Sequence, residues 1–412
     1  MTFRFKKLGP GLLFAAASIG VSHLVQSTRA GADFGLGLIW VLGLVHFMKF
    51  PFFHFGPRYA MATGESLIHG YYRLHKLILG AYFILNLASI FTIQAAVTIV
   101  TAGLAESIFG PIKVVGLPIQ STAIYAIITL ICCLVILLFG KYHTLDKIIK
   151  WVVIILTIST ITAVLMAFTD FNFKVSLKQV VPKNNTEILF LLAFMGWMPA
   201  PLDISVWQSM WTLEKQKQTA NYSAKLVFFD FNLGYFSTIL IGLAFMMLGY
   251  LVMYHSPINF SPKAAEFSGQ LISLYTNSLG PNARAVIGIA ALTTMFSTTI
   301  TTLDASPRVM HKSTELLLKT KFKNGYYYWL GALSIGTVII TFFFGSNMIT
   351  LVKVATVLSF IAAPFFAIAN YKLLTSRLTP KAWQPQLGLK IWSWVGISFL
   401  VAFSLWYILS LS

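Results

Sequence analysis

Charge is what this chain has least of. Of 412 residues only 10% are Asp, Glu, Lys or Arg, where a soluble protein carries about 25%. Acid is scarcer still, with 12 Asp+Glu against 30 Lys+Arg. Cysteine is nearly absent: Cys132 and Cys133 are adjacent within one apolar run, which excludes a disulfide framework and gives no metal-ligand spacing. The phosphate-loop pattern, the Gly-x-Ser-x-Gly elbow and the His-Glu-x-x-His zinc motif are all missing, so no catalytic constellation and no cofactor site stands out. On a soluble protein a net charge of +18 would suggest nucleic acid. Here the basic residues punctuate apolar runs, so the partner they imply is a lipid bilayer and not nucleic acid.

What the chain has is hydrophobic length: 57% of residues are hydrophobic and the mean hydropathy is +0.77. Eleven apolar runs lie near 9–30, 36–62, 77–108, 119–140, 148–168, 187–211, 224–253, 283–307, 326–345, 347–374 and 389–411. Each is about 20 residues or longer, which fits a membrane-spanning helix and is too long for the ten-residue strands of a barrel. The opening Met1–Gly20 imitates a signal peptide. Gly9-Pro10-Gly11 interrupts its core, however, and it reads as the start of the first span. With the N-terminus placed in the cytoplasm, 21 Lys+Arg fall in cytoplasmic loops and 7 opposite, while Lys49 and Lys353 lie within spans. That asymmetry predicts a multi-pass cell-membrane protein with a cytoplasmic N-terminus and an extracytoplasmic C-terminus.

Two spans carry breakers. The first contains Ser18-Ile19-Gly20-Val21-Ser22-His23, and the sixth contains Gly196-Trp197-Met198-Pro199-Ala200-Pro201, where two prolines remove backbone donors. Interrupted spans at matching positions of two halves are the pattern of a transporter binding site, because the break frees backbone carbonyls and amides at mid-membrane.

At these residues a family resemblance emerges. Leu8-Gly-Pro-Gly-Leu12, Arg29-Ala-Gly-Ala-Asp-Phe-Gly35 and Ile39-Trp-Val-Leu42 resemble the first two spans of the Nramp (natural resistance-associated macrophage protein) metal-ion transporters. Thr63-Gly-Glu-Ser66, Met198-Pro199 and Ser359–Phe366 resemble the end of their second span, the start of their Met-Pro-His motif and their tenth span. The resemblance covers nearly the whole chain. It implies an all-α, LeuT-type membrane fold: inverted repeats over 1–168 and 187–374, an eleventh span at 389–411, and helices 1 and 6 unwound. It also implies alternating-access transport of a divalent cation of the manganese or iron class. Where the family has Asp-Pro-Gly-Asn, this chain has Gly20, Val21, Ser22 and His23. The motif histidine is replaced by Ala200, a tenth-span glutamine falls on Ala362, and Ile93 and Ala96 stand where proton-coupled members carry acids.

The candidate substrate-binding residues are Gly20, Ser22, His23, Gln26, Met198, Ala200 and Asp203. His23 could ligate a soft metal through a ring nitrogen or donate to an anion, and the Met198 thioether suits soft metals too. Asp203 sits where free amides and the helix dipole would stabilise its carboxylate. Lys49, Asp230, Asp304 and Lys353 are intramembrane charges, and so are candidates for coupling or gating. A small inorganic ion is the expected substrate. The metal is the family default, and a small anion such as bicarbonate is the alternative, favoured by His23, Lys49, Lys353 and the lack of acids. An intramembrane enzyme built on His23 and Asp203 is the remote alternative.

The apolar third span predicts that any ion coupling bypasses the family's third-span proton route. Substitutions at Ile93 and Ala96 should leave any substrate-driven acidification of vesicles intact; its disappearance would contradict this.

Overall fold

The computed structural model describes residues 8–113, 119–139, 142–169, 176–219, 222–254, 260–281, 283–344 and 347–410. The basic N-terminal segment Met1–Lys7, together with Lys141 and Lys174 of the charge asymmetry, lies outside the described residues.

The first apolar run forms α1 (Pro10–Ser18), a π-helical segment (Ser22–Ser27) and α2 (Thr28–Phe34), bent by 48° at the break. There follow α3 (Ile39–Thr63), the short α4 (Leu67–Leu74), α5 (Lys76–Phe109), α6 (Ser121–Phe139) and α7 (Tyr142–Thr169). The second half begins with α8 (Asn185–Trp197) and α9 (Ile204–Gln218), separated by an unwound stretch. It continues with α10 (Ala224–Met253), α11 (Ala264–Leu279), α12 (Ala283–Leu318), α13 (Gly325–Phe344), α14 (Met348–Thr375) and α15 (Leu387–Ser410).

Among the described residues, eight helices are long and apolar enough to cross a membrane: α3, α5, α6, α10, α12, α13, α14 and α15. The bent α1–α2 pair makes a ninth. The count of eleven expected from the apolar runs is therefore met only in part. In the sixth run the apolar helix α8 is by itself shorter than a span, and α7 of the fifth run is not among the eight. The sequence pattern also gave no sign that α4 and α11 are separate helices. Outward-facing Phe139, Leu138, Ile335 and Phe343 give α6 and α13 an apolar outer face suited to lipid.

Without a hydrophobic drive between helices in lipid, close packing of small residues holds such a bundle together. A Cβ at Gly11 would lie 1.9 Å from the carbonyl oxygen of Asp230, so α1 and α10 meet backbone to backbone. The same holds where α8 crosses α14: a Cβ at Gly196 would lie 2.1 Å from the Thr356 oxygen. These crossings pin both broken helices to unbroken ones. The two large apolar clusters of the core meet at the breaks, with Ala17, Met198 and Ala200 in one and Ile19, Val21 and Trp197 in the other.

Gly11→Ala should lower thermal stability by about 1–3 kcal/mol, the usual cost of overpacking. Gly43→Ala is the control, because a Cβ there meets nothing within 4 Å on an exposed helical surface. It should be neutral or stabilising by up to about 1 kcal/mol. Equal melting temperatures for the two variants would contradict the backbone contact.

Candidate functional site: a small polar cavity between two helix breaks

The α1 break begins where Ile19 leaves helical geometry and Gly20 turns the chain. Gly20 sits against α12, for a Cβ on it would lie 2.9 Å from the Thr298 methyl. Thr298 Oγ1 in turn donates to the Ala16 carbonyl at 3.3 Å, an oxygen near the end of α1. On the sixth segment, α8 ends at Trp197, and Pro199 and Pro201 have no N–H to continue it. The first turn of α9 is tightened by Ile204 N–H to Pro201 O at 3.2 Å and Ser205 N–H to Leu202 O at 3.1 Å. The amides at the start of α9 are thus partly consumed within the chain.

Lys49 deals with the carbonyls that α8 leaves open. Its fully buried Nζ donates to the oxygens of Met195 (2.7 Å), Gly196 (2.8 Å) and Met198 (2.9 Å), and approaches Ala200 O at 3.4 Å. Three carbonyls so close call for three N–H donors, which an ammonium has and a neutral amine lacks. The negative end of the α8 dipole favours the same charge.

Between the breaks is a cavity of about 30 Å³, with room for one or two waters. Ser22, Ala200 and Asp203 line it, as do Ser18, Trp207, Thr298 and Thr302, while Ile93 and Val97 of α5 supply an apolar wall. Three buried polar atoms on these residues have no hydrogen-bond partner among the described residues: Ser18 Oγ, Asp203 Oδ2 and Trp207 Nε1. Buried polar atoms are nearly always paired, so three orphans around one small cavity mark it as the place where a solute or water binds. A larger cavity of about 190 Å³ adjoins along α9 and α12, with Trp207 lining both.

The other candidates lie apart from that wall. His23 is fully buried behind the break. Its Nδ1 is 2.9 Å from Ser18 O and 2.8 Å from Ser22 Oγ, and its Nε2 is 3.1 Å from Thr238 O on α10. With both nitrogens against protein oxygens, the imidazole turns neither of them to the cavity in this conformation. Gln26, on the π-helical segment, is buried, its Oε1 without a partner among the described residues, again away from the cavity lining. Met198 packs in the apolar core and meets the site through its carbonyl, on Lys49. Among the described residues no three His, Cys, Asp or Glu side chains converge as a metal cluster.

The two intramembrane aspartates outside the cavity have structural partners. Asp230 Oδ2 accepts from the amides of Gly9 (3.1 Å) and Gly11 (2.8 Å), capping α1 from α10. Asp304 accepts from Arg308 Nε and Tyr326 Oη, both at 2.8 Å, beside the larger cavity. Lys353 is half-buried and apart from both cavities. Sequence reasoning passed over Ser18, Trp207, Thr298 and Thr302. The signals available were the serine opening the break, the tryptophan one turn beyond Asp203, and the Thr/Ser-rich run 293–302.

Two broken helices around a small polar cavity, inside an all-helical bundle, are the pattern of a secondary transporter. The chain belongs to the Nramp family: residues 11–410 match the family described as natural resistance-associated macrophage protein-like. It is therefore a multi-pass integral membrane protein and a secondary transporter, not an enzyme. It is 33% identical to the uncharacterized protein PM0681 of Pasteurella multocida (strain Pm70), over 98% of this chain and 92% of that one. In fold it resembles the Eremococcus coleocola manganese transporter bound to an aromatic bis-isothiourea compound, with a TM-score of 0.74 at 13% identity over 98% of this chain and 86% of that one. It also resembles MhsT in complex with L-phenylalanine, with a TM-score of 0.68 at 13% identity over 97% and 98% of the two chains.

Two of the buried acids should respond oppositely to mutation. Asp230→Ala strands two buried amides and should cost about 1–3 kcal/mol of stability. Asp203→Asn removes a carboxylate with an unpaired oxygen, so it should hold or raise the melting temperature while abolishing uptake. A strongly destabilised Asp203→Asn would assign that residue to the scaffold.

Proposed function

We propose that this protein moves a small oxyanion of the bicarbonate class by alternating access, and that the cavity between the breaks is its binding site. The reading rests on the mixed sense of the three orphaned groups. Asp203 Oδ2 accepts, Trp207 Nε1 donates and Ser18 Oγ does either. A small oxyacid anion presents an O–H to the carboxylate and acceptor oxygens to the indole and the Ser18 hydroxyl. A bare cation would satisfy only the acceptors and would face the indole N–H, and the α8 carbonyls it would need are held by Lys49. Charge points the same way: with Asp203 and Lys49 both ionised, a dication would leave a net charge of +2 in the membrane interior, and a monoanion −1.

The architecture that goes with this reading has eleven spans. The bent α1–α2 pair is the first and α8–α9 the sixth, with α7 as the fifth, and α4 and α11 lie outside the count. Residues 1–168 and 187–374 are the inverted repeats and 389–411 the added helix, with the N-terminus cytoplasmic and the C-terminus outside. Ser22, Ala200 and Asp203 act at the cavity. Gly20, His23, Gln26 and Met198 shape the breaks, Lys49 holds the sixth span, and Asp230, Asp304 and Lys353 are left to the scaffold and the route to solvent.

The second reading, a divalent metal of the manganese class, is supported by the family and by Asp203, whose oxygens suit a hard cation kept partly hydrated. Proteoliposomes with a lumenal pH dye separate the two. Bicarbonate entry raises lumenal pH, whereas carbon dioxide leaking through lipid lowers it. A protein-dependent alkalinisation lost in Asp203→Asn and Trp207→Phe is expected, with no heat of binding for Mn2+ by calorimetry. Saturable Mn2+ uptake lost in Asp203→Asn, with no response to bicarbonate, would establish the metal instead.

A further inference from the structure

We infer that Lys49 is a built-in cation: its ammonium permanently fills a carbonyl-lined monovalent-cation site at the end of α8, so that this half of the sixth-span break takes no free ion. The inference concerns the scaffold lysine and stands whichever solute the cavity carries.

Carbonyl oxygens converging on one point make a cation site, because their dipoles replace a hydration shell. At the end of α8 the oxygens of Met195, Gly196 and Met198 converge within 2.9 Å of a single atom, with Ala200 O at 3.4 Å. An ordinary helix end shares its open carbonyls among water and caps. Here the point of convergence is buried, and the atom on it arrives from another helix, since Lys49 is on α3, in the first half of the chain. The approach is built in on both sides: Gly196 lets α8 sit against α14, and Gly56 lets α3 sit against α9, where a Cβ would lie 2.3 Å from Ser205 O. A lysine stem crossing an apolar core needs a reason to be there, because the same volume filled by methionine would carry no desolvation cost. Occupation of the cation site is that reason. The tethered ammonium cannot diffuse away, so the break holds its shape without depending on an ion in solution.

Removing the tether should expose the site. Lys49→Ala leaves four carbonyls around a space that a small primary ammonium can refill with its three N–H donors. Tetramethylammonium has the same charge and no N–H. In detergent, the wild-type melting temperature should respond equally to methylammonium, tetramethylammonium and potassium chlorides, as to ionic strength alone. Lys49→Ala should melt lower and be restored saturably by methylammonium, in part by potassium, and not by tetramethylammonium. If Lys49→Ala is recovered only when purified in methylammonium, that recovery is itself the expected result. Equal rescue by methylammonium and tetramethylammonium would overturn the inference. So would wild-type stability in Lys49→Met, where the stem is kept and the charge removed, because the lysine would then be packing alone. Failure of both variants to fold in every salt would overturn it as well, since the vacated site would then bind nothing.

Discussion

A helix that stops in the middle of a membrane leaves backbone oxygens with no water to receive them, and the rest of this structure depends on how those oxygens are answered. In α8 the answer is Lys49, donating to Met195, Gly196 and Met198. In α1 it is spread over Thr298, which donates to Ala16 O, and over His23 and Ser22, which close on Ser18 O. Each answer comes from a different helix or from the next turn, so the break is stable only if those helices stand close by. The glycine crossings at Gly11, Gly56 and Gly196 provide that closeness. Packing and polar satisfaction are thus one requirement: widening a crossing by a methyl group would also strand the donors that keep the breaks ordered.

The sequence made most of the architecture legible because the bilayer reduces folding to a one-dimensional pattern of apolar length. The two breaks were also legible, since Gly20 and the Pro199–Pro201 pair act locally through missing donors and missing side chains. The limits of that pattern lie where length and apolarity part company. Run 187–211 reads as one span, but its second half is α9, carrying Gln208, Lys215 and Lys217 on a helix too polar to qualify by itself. The stretch between the second and third runs likewise conceals the short α4, which three residues separate from the end of α3, beyond the left-handed Gly64.

The site was legible only in part, and two aspartates show why. Asp203 and Asp230 are the same residue in similar apolar surroundings, both buried. Asp230 faces the start of α1 and accepts two amides, whereas Asp203 Oδ2 finds no donor among the described residues. Nothing within a few residues of either predicts that difference, since the partners of Asp230 lie more than two hundred residues away. His23 teaches the converse. Its position in the break suggested a ligand, yet its ring nitrogens lie against the unwound carbonyl of Ser18, the Ser22 hydroxyl and the α10 carbonyl of Thr238, away from the cavity. An unwound segment creates acceptors as readily as it creates a binding site, and a nearby donor meets those acceptors first.

The same competition bears on what the cavity selects. A transporter for dications gathers hard oxygens or several soft ligands and leaves them open, because stripping water from a doubly charged ion is costly. This chain has closed those donors one at a time. Lys49 holds the α8 carbonyls, His23 is held by two backbone oxygens, and Met198 is turned to packing. What stays open is one carboxylate oxygen, one indole N–H and the Ser18 hydroxyl around about 30 Å³. Groups of opposite hydrogen-bonding sense in so small a space discriminate by pattern as well as by charge. A solute must donate at Asp203 and accept at Trp207, and an ion of either sign that cannot do both leaves a buried group unpaired, at a cost of about 1–3 kcal/mol. That requirement, rather than net charge, is the filter that the closed donors leave behind.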